Sequence, residues 1–296
     1  MAQAPATSKS KRAALLGAAA VAPSLAAGLP MAPSEAAALA LRAGSPPRKR
    51  AGQVTFLVPL VGPAHVGDWG AVVARLQGTI ASFQRQDAPW RAVICCQQRP
   101  DLPDDPRLSW LPFDDPAPGN DKWRKLAALC DHLATMDIGP GYVMSFDADD
   151  LLRDGAVAEM LQGQAPGWLV STGYVMDHAT GDVALAGPRS LRHPLRKPFW
   201  KLCGSCAALY HDPAIPQSAA FLKAMTAHEH RMFPYLARLA GLALAPLSRP
   251  SVLYVLNHGE NFGARRGRVG FKTRFVQRYR LAPDAWARAG ADFPAP

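Results

Sequence analysis

Residues 142–152, YVMSFDADDLL, constrain the fold more than any other stretch: a mostly apolar run passes straight into three aspartates within four positions. A run so poor in polar residues suits a strand covered on both faces, as in a parallel sheet. Such sheets gather ligands at the carboxyl ends of their strands. Three like charges this close repel one another unless a cation or a basic partner is present. Asp147 and Asp149, two apart at a strand end, are placed to converge on one divalent ion. Carboxylates, waters and substrate phosphates are the shell that Mg²⁺ or Mn²⁺ prefers. The alternative is that Asp149 or Asp150 caps a helix beginning near Leu151, which accounts for one aspartate of the three.

The flanking pattern extends this picture. Residues 54–60, VTFLVPL, form a second buried strand, followed by a loop with Gly62, Pro63, Gly67 and Asp68. Val72, Val73, Leu76, Ile80 and Phe83 make one stripe of a helix over 69–85. Strands are predicted at 90–96 and 108–113, and a helix at 123–136. The order β-α-β-β-α-β predicts an α/β fold with a mainly parallel sheet flanked by helices. Functional residues are then expected after Pro59, after Cys96 and at Asp147.

The second half is predicted to hold a strand-pair region at 167–175, a helix at 231–241 opened by His228, Glu229 and His230, and a strand at 251–256 followed by His258. Cys203 and Cys206 form a C-x-x-C, but no second ligand pair or βαβ context accompanies it. They read as part of a small-residue loop beneath a pocket. Five cysteines in all argue against a disulfide scaffold.

The net charge of +10 is concentrated at the ends: residues 1–50 hold seven Lys/Arg against one Glu, and residues 264–296 hold eight against two Asp. No nucleic-acid-binding motif accompanies this charge, so nucleic acid is not an expected partner. Peripheral contact of the basic ends with an anionic membrane face remains open. Residues 1–50 are rich in Ala and Pro and poor in β-branched and aromatic residues. They are expected to be a disordered leader, or to follow a start codon placed too far upstream, in preference to a secretory signal. Residues 51–263 are the expected catalytic domain, and residues 264–296 a basic tail. A cytoplasmic location is expected, with secretion not excluded.

The segment FDADD, residues 146–150, resembles the D-x-D motif of glycosyltransferases of the GT-A fold, most closely the family-2-like group. VTFLVPL ending on Pro59 resembles that family's opening strand, and LQGTIASFQRQ, residues 76–86, resembles its L-x-x-T-L-x-S-x-x-x-Q helix. Asp121 to Lys125 (DKWRK) resembles a D-K-x-x-K pattern of some relatives, and Glu229 lies twelve residues before Gly241, as in its E-D-x-x-L…G element.

The resemblance implies a Rossmann-like GT-A sheet and a nucleotide-diphosphate sugar as donor. It implies Mn²⁺ or Mg²⁺ held by Asp147, Asp149 and His258, and Lys122 and Lys125 beside the diphosphate near Pro59. It also implies Glu229, or His230 or His228 in its place, as base on an acceptor hydroxyl of a glycan, lipid or protein. Arg265, Arg266 and Arg268 would then form a lid or merely a tail. Where the family often carries Asp after the second strand, Cys95 to Arg99 stand here, which leaves the nucleobase open. Two rivals remain. One is a non-catalytic nucleotide- or glycan-binding module on the same scaffold. The other is a haloacid-dehalogenase-type phosphatase, whose D-x-D-x-T motif belongs on the first strand and whose Thr is Leu151 here.

Overall fold

The computed structural model of the chain describes residues 3–115, 120–259 and 269–295. In chain order, α1 (Lys9–Val21), α2 (Pro23–Ala27) and α3 (Pro33–Gly44) precede β1 (Val54–Pro59), α4 (Trp69–Gln84), β2 (Trp90–Cys96), β3 (Leu108–Pro112), α5 (Lys122–Leu133) and β4 (Gly141–Ser145). Then come β5 (Asp150–Leu152), α6 (Ala156–Gly163), β6 (Gly167–Leu169), β7 (Gly173–Asp177), β8 (Asp182–Ala186), β9 (Ala207–His211), α7 (Pro216–Met225) and α8 (Phe233–Leu239). The chain continues through β10 (Ala245–Pro246), β11 (Val252–Leu256), α9 (Val269–Arg278) and α10 (Pro283–Gly290).

The apolar runs form the centre of a seven-stranded sheet of order β10-β6-β9-β4-β1-β2-β3. Every neighbouring pair is parallel except those made by β9, which runs antiparallel to β4 and β6. A second sheet has the order β5-β11-β7-β8. The fold is therefore a mixed, mainly parallel α/β sheet flanked by helices, as the strand and helix patterns predict. β1 is central because Val54, Phe56, Leu57 and Val58 are buried on both of its faces. The α4 stripe packs on it, with the Phe83 ring stacked on Phe56 at 4.0 Å between centroids and edge-on to Phe146 at 5.1 Å. Rings of this size each contribute roughly 2–3 kcal/mol through burial.

Four expectations are corrected. Residues 1–50 hold three helices between residues 9 and 44, and Leu15, Ala19, Leu39 and Leu41 are buried. Alanine is the strongest helix former, and its small side chain lets α3 lie close against α7 and α8. No helix begins at Leu151. Residues 150–152 are a strand antiparallel to β11, and the next helix, α6, starts at Ala156, so Asp150 caps nothing. Residues 167–175 are not one strand pair, because β6 belongs to the main sheet and β7 to the second. The C-terminal segment is folded over its described part: Phe275 and Val276 of α9 are buried, and Phe293 lies edge-on to Tyr174 with centroids 6.0 Å apart.

Candidate functional site

Three polar residues of α4 and the turn that ends it fix the chain that follows the aspartates. Thr79 Oγ1 donates to the Asp150 carbonyl (2.8 Å), and Ser82 Oγ accepts from the Leu152 amide (3.1 Å). Gln86 Nε2 donates to the Arg153 carbonyl (3.0 Å), and its Oε1 accepts from the Val157 amide (3.1 Å). All three side chains are buried. Thr79 and Ser82 lie three apart on α4, Gln86 follows just past its C-cap, and each partners a backbone group that burial would otherwise leave costly. The T-x-x-S-x-x-x-Q pattern is thus a structural clamp on residues 150–157.

A second clamp comes from the Cys203–Cys206 loop. The Asp147 amide donates to Ser205 Oγ (2.8 Å), and Ser205 Oγ donates to Asp150 Oδ2 (2.6 Å). Cys203 Sγ also donates to that carboxylate oxygen, at 3.0 Å. Asp150 is wholly buried, and burial followed by the neighbouring Asp149 and Asp147 charges holds its carboxyl well above the usual range. It is a buried brace. Cys203 and Cys206 are unbridged thiols, which agrees with a packing loop under the site.

Above these braces opens a cavity of about 730 Å³, lined by Pro59, Lys122, Asp147, Asp149, Glu229, His230 and His258 among others. The topology brings them together: Pro59 ends β1, Asp147 and Asp149 follow β4, and Lys122 opens α5. Lys122 Nζ donates to Asp147 Oδ1 at 2.6 Å. Burial works against its charge, but Asp147 and then Asp149 outweigh it and leave its pKa above the ordinary lysine value. His258 Nε2 lies 2.8 Å from Asp149 Oδ2. An ideal Cβ on Gly204 would stand 3.5 Å from Asp147 Oδ2 and 3.7 Å from Lys122 Nζ, so the missing side chain keeps this corner open. Among the described residues, no three His, Cys, Asp or Glu side chains are gathered as a metal cluster. Asp149 and His258 face each other, while Asp147 faces Lys122.

Lys125 departs from its expected role. Its side chain is buried, and Nζ donates to the Leu60 carbonyl (2.6 Å) and pairs with Asp121 Oδ2 at 2.8 Å. Gln97 Nε2 donates to the same Asp121 oxygen at 2.6 Å. Lys125 and Asp121 therefore tie the ends of β1 and β2 to α5. Only the first lysine of the D-K-x-x-K pattern meets an aspartate of the D-x-D.

Glu229 and His230 both line the cavity. Burial, with help from Lys122 and Lys272, pulls the His230 imidazole down to about 4, so it is neutral at pH 7. Its Nε2 is buried without a hydrogen-bond partner. His228 does not belong to this group: it is buried, and its Nε2 lies 2.6 Å from Ser34 Oγ of α3. Arg265, Arg266 and Arg268 lie outside the described residues.

Sequence patterns missed Lys272, Tyr254, Arg75 and Gln3, all of which line the cavity. Lys272 Nζ bonds the Tyr254 hydroxyl and sits 4.4 Å from that ring's centroid. Burial lowers the Lys272 pKa and raises that of Tyr254. The signal for Lys272 was its place on α9, a helix concealed within an apparently featureless basic tail. Nothing in the sequence marked Gln3, which reaches the cavity because the Ala4 amide donates to the Ala227 carbonyl at 2.8 Å.

No family model matches the chain, and no curated protein matches it in sequence. A solved structure of a 4-diphosphocytidyl-2C-methyl-D-erythritol synthase is similar at 15% identity and a TM-score of 0.35, over 75% of this chain and 98% of that one. A likeness this low says nothing of the site's chemistry.

Proposed function

We propose that the protein is a nucleotide-sugar-dependent glycosyltransferase of GT-A type. The observation that carries this is the D-x-D at the carboxyl end of β4, opening into a cavity whose lining also holds four lysines, a glutamate and a neutral histidine. Two carboxylates and an imidazole are a donor set that suits Mn²⁺ and, less closely, Mg²⁺. Asp147, Asp149 and His258 would hold that ion, which when bound supplies positive charge to a diphosphate. Lys122 and Lys272 stabilise negative charge developing on the departing nucleotide. Glu229 takes the proton from the acceptor hydroxyl, with the His230 Nε2 lone pair as the alternative acceptor.

The test is calorimetric titration of UDP and of GDP into the full chain, with and without Mn²⁺, repeated with Asp149→Ala. The expected result is Mn²⁺-dependent binding of one nucleotide that the variant loses. Equal binding by the variant, or binding indifferent to Mn²⁺, refutes the metal-diphosphate site. Nucleotide release from a panel of UDP- or GDP-sugars separates an enzyme from a binding module on the same scaffold.

A further inference from the structure

From Val183 to His211 the sequence has five Lys/Arg and no Asp or Glu, although this is the middle of the chain and not one of its basic ends. The centre of that stretch, residues 187–197, is an ordered loop. Its ends are closed by the Gly187 amide donating to the Lys197 carbonyl at 3.0 Å. Its interior is pinned by Ser190 and His193, each amide bonding the other's carbonyl (3.4 and 3.0 Å), and by Arg196 Nε donating to the Pro188 carbonyl at 3.0 Å. The His193 ring lies edge-on to Tyr279, 5.8 Å between centroids. This ordered loop presents Leu191, which is fully exposed, and Leu195, which is 56% exposed.

Burying such side chains in a non-aqueous phase is favourable, and leaving two leucines on a hydrogen-bonded, solvated loop tip gains nothing in the isolated molecule. Arg189, Arg192, Arg196 and Lys197 surround them. Lys197 Nζ stands 4.0 Å from the ring centroid of Phe271, itself 43% exposed. Burial and then the charges of Arg231, Lys201 and Arg189 depress the Lys197 pKa, as expected where cations crowd without carboxylates between them. Lys201, Arg231 and Phe271 in turn line the cavity. The loop and the cavity mouth therefore form one continuous basic and apolar surface. Among the described residues, no helix is long and apolar enough to cross a membrane, so any lipid contact these residues make is peripheral.

We infer that the 187–197 loop, together with Phe271, docks the protein on an anionic lipid surface, with Leu191 and Leu195 entering the headgroup boundary and the arginines facing acidic headgroups. Charge complementarity selects an anionic surface, and the exposed leucines select a lipid phase over a soluble polyanion. Docking there would set the cavity mouth beside the bilayer. The inference does not depend on the sugar-transfer chemistry, and its test does not use it.

The experiment is flotation of the full chain with phosphatidylcholine vesicles, and with phosphatidylcholine vesicles containing about one-third phosphatidylserine, at low and high salt. The wild type is expected to float only with the anionic vesicles and to be released by salt. Because each basic residue near the surface contributes about 1 kcal/mol, neutralising one costs about fivefold. Arg189→Glu with Arg192→Glu should therefore lower partitioning by well over tenfold. Leu191→Ser with Leu195→Ser should lower it severalfold while leaving the salt dependence unchanged. All four sites are exposed, and circular dichroism of each variant confirms folding. Lys9→Glu with Lys11→Glu, at the basic N-terminal end, should change binding only slightly. Three results overturn the inference: no binding to anionic vesicles; loss with the Lys9/Lys11 pair but not with the loop pairs; or silent leucine variants accompanied by displacement with inorganic polyphosphate, which would make the loop a soluble-polyanion site.

Discussion

Replacing Gln86 by leucine tests whether the turn that ends α4 holds the carboxylate-bearing segment in place. Gln86 is 5% exposed, and its Oε1 accepts from the Val157 amide at 3.1 Å. Val157 is fully buried in the first turn of α6, where amides lack intrahelical partners, and the residue before that helix, Gly155, offers no side-chain cap. Leucine fills a similar volume, so the change opens little cavity but strands the Val157 N–H. A stranded buried donor costs about 1–3 kcal/mol. The Arg153 carbonyl loses Gln86 Nε2 yet keeps the Ala156 amide at 3.2 Å, which adds a smaller amount. The sum is about 2–3 kcal/mol, or about 1 M in the urea midpoint at a typical slope. Gln84→Leu, at the exposed last residue of α4, is the control and should shift the midpoint by less than a quarter of that. Equal shifts for the two variants would refute the claim that Gln86 caps α6 from outside.

The two lysines of α5 should separate cleanly. Lys125→Met leaves buried Asp121 without its cation and should cost about 3–5 kcal/mol, whereas Lys122→Met should change the urea midpoint little and weaken Mn²⁺-dependent nucleotide binding at least tenfold in calorimetry. Gly204→Val puts methyl groups into the corner between Asp147 Oδ2 and Lys122 Nζ; nucleotide binding should fall by more than tenfold with less than about 1 kcal/mol of lost stability, and unchanged affinity would show that the corner is not used. His211 is buried with its pKa pulled down to about 4, by burial in the first place. The unfolded chain binds its proton first, so this contribution is fully present above about pH 6.5 and is lost as the pH falls toward 4, at about 1.4 kcal/mol per unit and about 3 kcal/mol in all. His211→Asn should flatten that part of the acid limb in urea melts at pH 7.5, 5.5 and 4.5, and an unchanged limb would count against it.

The central sheet was legible because its strands announce themselves. Residues 54–60, 90–96 and 142–146 are apolar on both faces, and only a doubly covered strand tolerates that. The aspartates were legible for the complementary reason, as charge where the apolar run stops. What escaped detection depends on partners far apart in sequence. Glu35, a lone acid in an alanine-rich stretch, is wholly buried because it accepts from Thr7 at 2.6 Å and from Tyr235, two hundred residues away, at 2.9 Å. No local pattern records such a hub, so the helices around it read as disorder. Lys125 is the converse case. It shares a helix face with Lys122 by spacing, but a short separation along α5 divides the open cavity from the interior, and only the positions of Asp121 and the Leu60 carbonyl decide which lysine turns inward. The lesson of α9 is that a high density of arginines conceals an apolar stripe as readily as it marks a solvated tail.

The docking of α3 on α7 and α8 gives this chain an unusual schedule of assembly. On the ribosome, α1 to α3 emerge before the surfaces that cover them, which are encoded by residues 216–239. For most of translation these helices have only one another to bind, and at 5 to 13 residues each they are marginal alone. β4 waits as well: until β9 has been made, it is an unpaired edge of a growing parallel sheet. The nascent chain thus carries an open strand edge and homeless helices at the same time, and both are closed within about thirty residues of each other. Folding of this protein is therefore a late, nearly simultaneous closure from both sides of the sheet, and the interval before it is when the polypeptide most needs chaperone protection.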